Sequence, residues 1–166
     1  MRAAIGLGAN LGDREATVRE ATRRIARLGR VEAVSSLYET APWGKLDQPA
    51  FVNAALILET RLEPRELLDG LLAIERELGR DRAREERWGP RSIDLDLLLC
   101  DQRVEDGELT LPHPRMHERS FVLVPLAEIA PQLRHPRLGV SVGDLARRLG
   151  STGVRRLGEG ATGGAQ

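Results

Sequence analysis

An α+β fold is predicted for this chain from three observations. Short apolar runs of strand length alternate with two longer amphipathic stretches. Each amphipathic stretch opens and closes on residues that cap helices. The pieces follow one another as strand, helix, strand, strand, helix, strand. Taken in order, Ala3–Leu7 is an apolar run that stops at Gly8 and reads as a strand. Asp13 can cap a helix reaching about Leu28, with Val18, Ala21, Ile25 and Leu28 at helical spacing and Gly29 at its end. Val31–Tyr38 reads as a second strand. Thr40, Pro42, Gly44, Asp47 and Pro49 mark a loop, and Phe51–Thr60 a third strand. Pro64 suits a first helical turn, Leu67, Leu68, Leu71, Leu72, Ile74 and Leu78 form an apolar face, and Gly79 closes that helix. An arginine-rich loop over 80–90 leads into a strand over Ile93–Cys100. Ser120–Ile129 reads as a helix interrupted at Pro125, and Val142–Leu149 as a last short helix. This is the ferredoxin-like βαββαβ pattern, an antiparallel sheet with helices packed on one face, here with a C-terminal extension. Residues 1–150 read as one domain. Ser151–Gln166 carries five glycines and almost no apolar periodicity, and reads as a flexible tail.

The composition is that of an ordinary globular chain, with 41% apolar residues and 25 basic against 25 acidic side chains. Zero net charge argues against a general nucleic-acid or membrane-surface binder. One cysteine, Cys100, excludes an internal disulfide and fits a reducing cytoplasm, where we expect the chain. No apolar stretch approaches the ~18 residues of a membrane span. The segment Met1–Ile5 runs too soon into Gly6 and Gly8 for a signal peptide. Lys45 is the sole lysine, so an arginine counts as a candidate only within a motif.

The most chemically informative run is Arg87-Trp88-Gly89-Pro90-Arg91-Ser92-Ile93-Asp94-Leu95-Asp96. Side chains at i and i+2 of a strand share a face, about 6.5–7 Å apart at the backbone. Asp94 and Asp96 therefore converge. Carboxylates held this close repel unless a cation lies between them, and a hard divalent metal is the simplest such cation. Arginines just upstream suggest that phosphates accompany it. The plainer alternative is an Asp-x-Asp that caps a turn or pairs with those arginines. The scarce aromatics add a second clue. Trp43 and Trp88 fall in polar loops, Phe51 starts a strand, and Phe121 follows a polar run, so stacking on a flat ligand competes with core packing for all four. Core packing is the better reading of Tyr38. Gly6-Leu7-Gly8-Ala9-Asn10-Leu11-Gly12 misses the dinucleotide-loop spacing by one residue, Gly44-Lys45 lacks the rest of a P-loop, and His113 and His117 lack a second zinc-ligand pair.

With these residues in view, the chain resembles the 6-hydroxymethyl-7,8-dihydropterin pyrophosphokinases of folate biosynthesis. The resemblance is carried by Gly6–Gly12, Ser35–Thr40, Gln48–Ala55, Arg87–Leu99, Leu111–His113 and Arg119–Phe121, and spans about residues 1–135. It implies a single catalytic domain that moves the β,γ-pyrophosphoryl unit of ATP onto the pterin hydroxymethyl oxygen and releases AMP. It implies that Asp94 and Asp96 hold two Mg²⁺ ions, with Arg80, Arg91 and His113 completing the catalytic group and offsetting charge on the transferring phosphoryl. It implies a pterin pocket of Gly8, Thr40, Trp43, Phe51, Asn53, Trp88 and Phe121, in which the two phenylalanines sandwich the ring and Asn53 reads its polar edge. Nucleotide contacts fall to Glu75, Arg82, Thr110, His113 and Arg119. The expected partners are pterin and ATP, without nucleic acid or membrane, for a monomer. From the residues alone, two alternatives stand beside this: a ferredoxin-like binding module for RNA or a small regulator, and a related phosphoryl or nucleotidyl transferase acting on another acceptor. An RNA reader would pattern basic and aromatic residues on the sheet face, which Phe51-Val52-Asn53-Ala54 does not.

Overall fold

The computed structural model describes residues 1–10, 12–41, 50–79 and 93–160. They form β1 (Arg2–Ala9), α1 (Arg14–Ile25), β2 (Arg30–Val34), β3 (Ser36–Thr40), β4 (Phe51–Glu59), α2 (Pro64–Glu77), β5 (Asp94–Cys100), α3 (Ser120–Ile129), α4 (Val142–Leu149) and β6 (Val154–Gly160). The strands make one antiparallel sheet in the order β5-β1-β4-β3-β6, with β2 also paired to β4. The described residues are thus an α+β fold with six strands and four helices. No helix among them is long and apolar enough to cross a membrane.

The helix boundaries follow the capping chemistry. The Asp13 carboxylate accepts the Ala16 N–H at 3.1 Å and starts α1. Pro64 opens α2 behind a capping box between Glu63 and Glu66, and Gly79 (φ 93°) lets the chain turn away at its end. Pro125 does not interrupt α3, which runs through it to Ile129. The segment expected as one strand over Val31–Tyr38 divides at Ser35. Between the pairs Val34↔Leu56 and Tyr38↔Asn53 the chain takes four steps against three on β4, one residue more. Buried Ser35 fills the gap with its own hydroxyl, which accepts the Ala55 N–H at 2.9 Å and donates to the Ser36 carbonyl at 2.7 Å. Glu128 of α3 then anchors the second half, accepting from the Ser36 N–H, the Ser36 hydroxyl and the Tyr38 hydroxyl. Burial and this carboxylate push the Tyr38 phenol above its ordinary range.

Two further expectations need correction. Helices cover both sheet faces, not one. Val18, Ile25, Leu67, Leu71 and Ile74 pack with Ile5, Leu7, Leu56 and Leu95 on one side; Val122, Leu123, Leu126, Val142 and Leu145 pack with Ala4, Ala55, Ile57 and Leu98 on the other. The near-continuous apolar run of β4 reflects this, because a strand buried on both faces cannot alternate. The supposed flexible tail also contains a strand: Val154–Gly160 forms β6 along β3. Its Arg-Arg-Leu-Gly-Glu-Gly run has no alternation because an edge strand depends on main-chain bonds more than on apolar side chains.

Candidate active site

Register fixes what faces what at the end of the sheet under the N-terminus of α3. Gly8 stands opposite Asn53 on β4 and Asp94 on β5; Gly6 stands opposite Asp96. Since faces alternate along each strand, Gly6, Gly8, Phe51, Asn53, Asp94 and Asp96 share the α3 side, while Leu95 and Leu97 turn into the opposite core. Gly6 and Gly8 put no side chain into the cleft that opens there. Its lining includes both glycines, Thr40, Phe51, Asn53, Asp94, Asp96, Arg119 and Phe121. The two aspartates therefore converge on one cavity, as the i, i+2 spacing predicts. A β-carbon on Gly8 would meet Asn53 Nδ2 at 2.7 Å, so that position needs glycine to seat the amide.

The Asn53 amide is held from two sides. Asn53 Oδ1 accepts from the Thr40 hydroxyl at 2.7 Å and Nδ2 donates to the Leu7 carbonyl at 3.4 Å, which sets the amide orientation and leaves one N–H and one lone pair for a ligand. Arg119 lies 5.6 Å from the Phe121 ring centroid, and its Nε is buried without a partner among the described residues. Burial pulls its guanidinium below the ordinary range, with Asp96 and Asp94 opposing, yet it stays cationic. No acidic side chain occupies the first turn of α3, so the positive end of that helix adds to Arg119 as an anion-attracting corner.

His113 sits beside this corner. Its backbone N–H bonds the Leu98 carbonyl on the outer edge of β5, and its Nδ1 accepts from the Arg115 N–H at 3.2 Å. An Nδ1 that accepts is unprotonated. Burial, with Arg119 adding and Asp94 opposing, pushes the imidazole down to about 4. His113 is thus neutral at pH 7 and offers a hydrogen bond rather than the positive charge expected of it. The sign follows: an unfolded histidine protonates from its ordinary 6.5 downward while the folded one resists, so stability is lost as pH falls from 6.5 through 4. His113→Gln should flatten that acid slope, read as urea midpoints at pH 7 and 4.5; equal slopes in variant and parent would contradict it.

Other expected residues fall elsewhere. Glu75, expected at the nucleotide, is 1% exposed in the α2–β5 contact, where Oε2 accepts the Leu95 N–H at 2.7 Å. That places it behind the aspartate strand, among the residues that pin it, and not in the cleft lining. Thr110 lies in the connection after β5 and donates to the Gly107 carbonyl at 3.3 Å, also off the lining. Trp43, Arg80, Arg82, Trp88 and Arg91 lie outside the described residues. Gly6, Ala54 and Val122 line the cleft without having been singled out; strand alternation from Gly8 was the available signal for Gly6. Asp94 and Asp96 supply hard oxygen donors facing an open cavity, which suits Mg²⁺, an ion that takes few protein ligands and keeps water or phosphate for the rest. No cluster of three or more His, Cys, Asp or Glu that could cage a metal occurs among the described residues.

A family model described as 7,8-dihydro-6-hydroxymethylpterin-pyrophosphokinase (HPPK) matches residues 4–131. The chain is 46% identical over 159 residues to the 2-amino-4-hydroxy-6-hydroxymethyldihydropteridine pyrophosphokinase of Methylorubrum extorquens, covering 94% of this chain and 98% of that one. It is 50% identical over 132 residues to the protein of that name from Bacillus subtilis, 78% of each chain. The fold is similar to a wild-type HPPK-DHPS chain of Plasmodium falciparum, with TM-score 0.67 and 15% identity over 89% of this chain. It spans 44% of that longer chain. By the span of the family model and the identity to these relatives, the chain belongs to the 7,8-dihydro-6-hydroxymethylpterin-pyrophosphokinase family.

Proposed function

We propose that this chain transfers pyrophosphate from ATP to the hydroxymethyl group of 6-hydroxymethyl-7,8-dihydropterin, releasing AMP, as a step of folate biosynthesis. The observation that carries the reading is one cleft in which two phenylalanines, an oriented amide and a pair of carboxylates meet. The strand order β5-β1-β4-β3, with β2 and β3 as halves of one interrupted strand, supports a ferredoxin-like assignment. The single cysteine, Cys100, forms no internal disulfide, which supports a cytoplasmic setting.

Phe51 and Phe121, from the sheet and from the helix above it, take the two faces of the pterin ring. Asn53 and Thr40 read its polar edge, and Gly8 leaves the ring room beside them. Asp94 and Asp96 would hold two Mg²⁺ ions, which when bound supply Lewis-acid polarisation of the phosphoryl oxygens. Arg119, the α3 N-terminus and the neutral His113 orient the polyphosphate beside them. Glu75 serves this chemistry indirectly, by fixing the backbone between the two aspartates. Trp43 and Trp88 keep the pocket roles, Arg80 and Arg91 the catalytic roles, and Arg82 and Thr110 the nucleotide roles that the resemblance implies.

Incubating the protein with ATP, Mg²⁺ and the reduced hydroxymethylpterin tests the reaction. AMP is the expected product. ADP would make the protein a simple kinase, and absence of turnover would leave a binding module.

A further inference from the structure

Arg14 lies outside the cleft lining, yet it touches β3 and the residue that leads into β4, the two strands that build the pterin end of the cleft. Its Nη1 donates to the Ala50 carbonyl at 2.5 Å, one residue before Phe51. Its Nη2 lies 3.5 Å from Glu39 Oε2, one residue before Thr40. The other Glu39 oxygen accepts from Arg155 Nη2 of β6 at 2.9 Å, and that bond holds the Glu39 carboxyl below its ordinary range. Thr40 and Phe51 face each other as the terminal rung of the β3–β4 ladder. Terminal rungs open most easily, because nothing beyond them continues the ladder. One guanidinium joined to Glu39 of β3 and to Ala50 at the entry to β4 closes the end. Helix energetics do not account for this arginine. It is the first residue of α1, where the helix dipole disfavours a cation, and Asp13 already caps the helix. Arg14 and Glu39 side chains are 28% and 29% exposed, so solvent screens their pairing less than it screens a fully exposed pair.

We propose that Arg14 is a positioning residue for pterin binding, a clasp that holds Thr40 and Phe51 in register, with Arg155 of the C-terminal strand steadying Glu39 from the other side. The clasp touches neither substrate. It rests on the reading that Phe51, Asn53 and Phe121 take the pterin. Its contacts are with Ala50 and Glu39, beside Phe51 and Thr40, and not with Arg119 or His113, so its loss should separate the two substrates.

Steady-state kinetics of Arg14→Ala, Arg14→Lys and Phe121→Ala, with a thermal melt of each, test it. Arg14→Ala should raise the pterin KM roughly tenfold, the size of one charge-assisted hydrogen bond. The ATP KM should stay within about twofold. Arg14→Lys should fall between, because one ammonium lacks the fork that reaches both partners. An unchanged pterin KM in Arg14→Ala, alongside a raised one in Phe121→Ala, overturns the clasp alone. Both substrates' KM values rising together with a lowered melting point would show a merely structural arginine and also overturn it. An unchanged pterin KM in Phe121→Ala would remove the pocket reading, and the clasp with it.

Discussion

Asp96→Ala should reduce AMP formation by about a thousandfold, the scale on which a preorganised electrostatic group acts on a phosphoryl transition state. Asp96 sits opposite Gly6 with its carboxylate in the cleft and its flanking residues Leu95 and Leu97 in the core behind. Truncation therefore removes a charge from the cavity without removing a packing side chain, and the variant should melt close to the parent. The loss should persist as Mg²⁺ is raised to saturation, because the remaining carboxylate of Asp94 cannot occupy two positions. Turnover near that of the parent under saturating Mg²⁺ would remove the metal role. A loss rescued fully by more Mg²⁺ would turn it into a matter of affinity alone.

Phe121→Ala should weaken pterin binding by roughly ten- to a hundredfold, the range measured for losing one aromatic face from a stacked heterocycle. Phe121 occupies the first turn of α3 and is only partly buried against the apolar layer there, so the helix keeps Val122, Leu123 and Leu126 as its anchors. The variant should also loosen Arg119, which lies over the ring. A secondary rise in the ATP KM is therefore expected, smaller than the pterin effect. Calorimetric titration with the reduced pterin measures the primary term; an unchanged dissociation constant would count against the sandwich.

Much of this fold was legible because it is written in local chemistry. Asp13, Pro64 and Gly79 mark helix ends by mechanisms that operate within a few residues. The aspartate pair was legible for the same reason, since alternation along a strand needs no partner. What stayed hidden depends on long-range pairing. The division at Ser35 exists because a hydroxyl replaces a main-chain partner across to Ala55, and Ser-Ser in the sequence does not announce it. β6 exists because β3 offers it an edge. The bond from Glu75 to the β5 backbone stayed hidden as well, because it depends on α2 packing against that strand. His113 looked like a cation until its burial and the Arg115 N–H were known.

The position of β4 in the sheet has a consequence for motion. β4 is bonded to β1 along one side and to β2 and β3 along the other, and it is buried on both faces. Its amides should be among the slowest to exchange with deuterated solvent, opening only in global unfolding. β5 is an edge strand, its outer side tied at Leu95 and Leu98 by Glu75 and His113. It should exchange sooner, through partial opening. Asn53 thus rides on the persistent interior of β4, with Phe51 at the end that Arg14 clasps, and the carboxylates on a strand that can yield. Distortions that reach the cleft should disturb phosphate chemistry before they disturb recognition of the pterin.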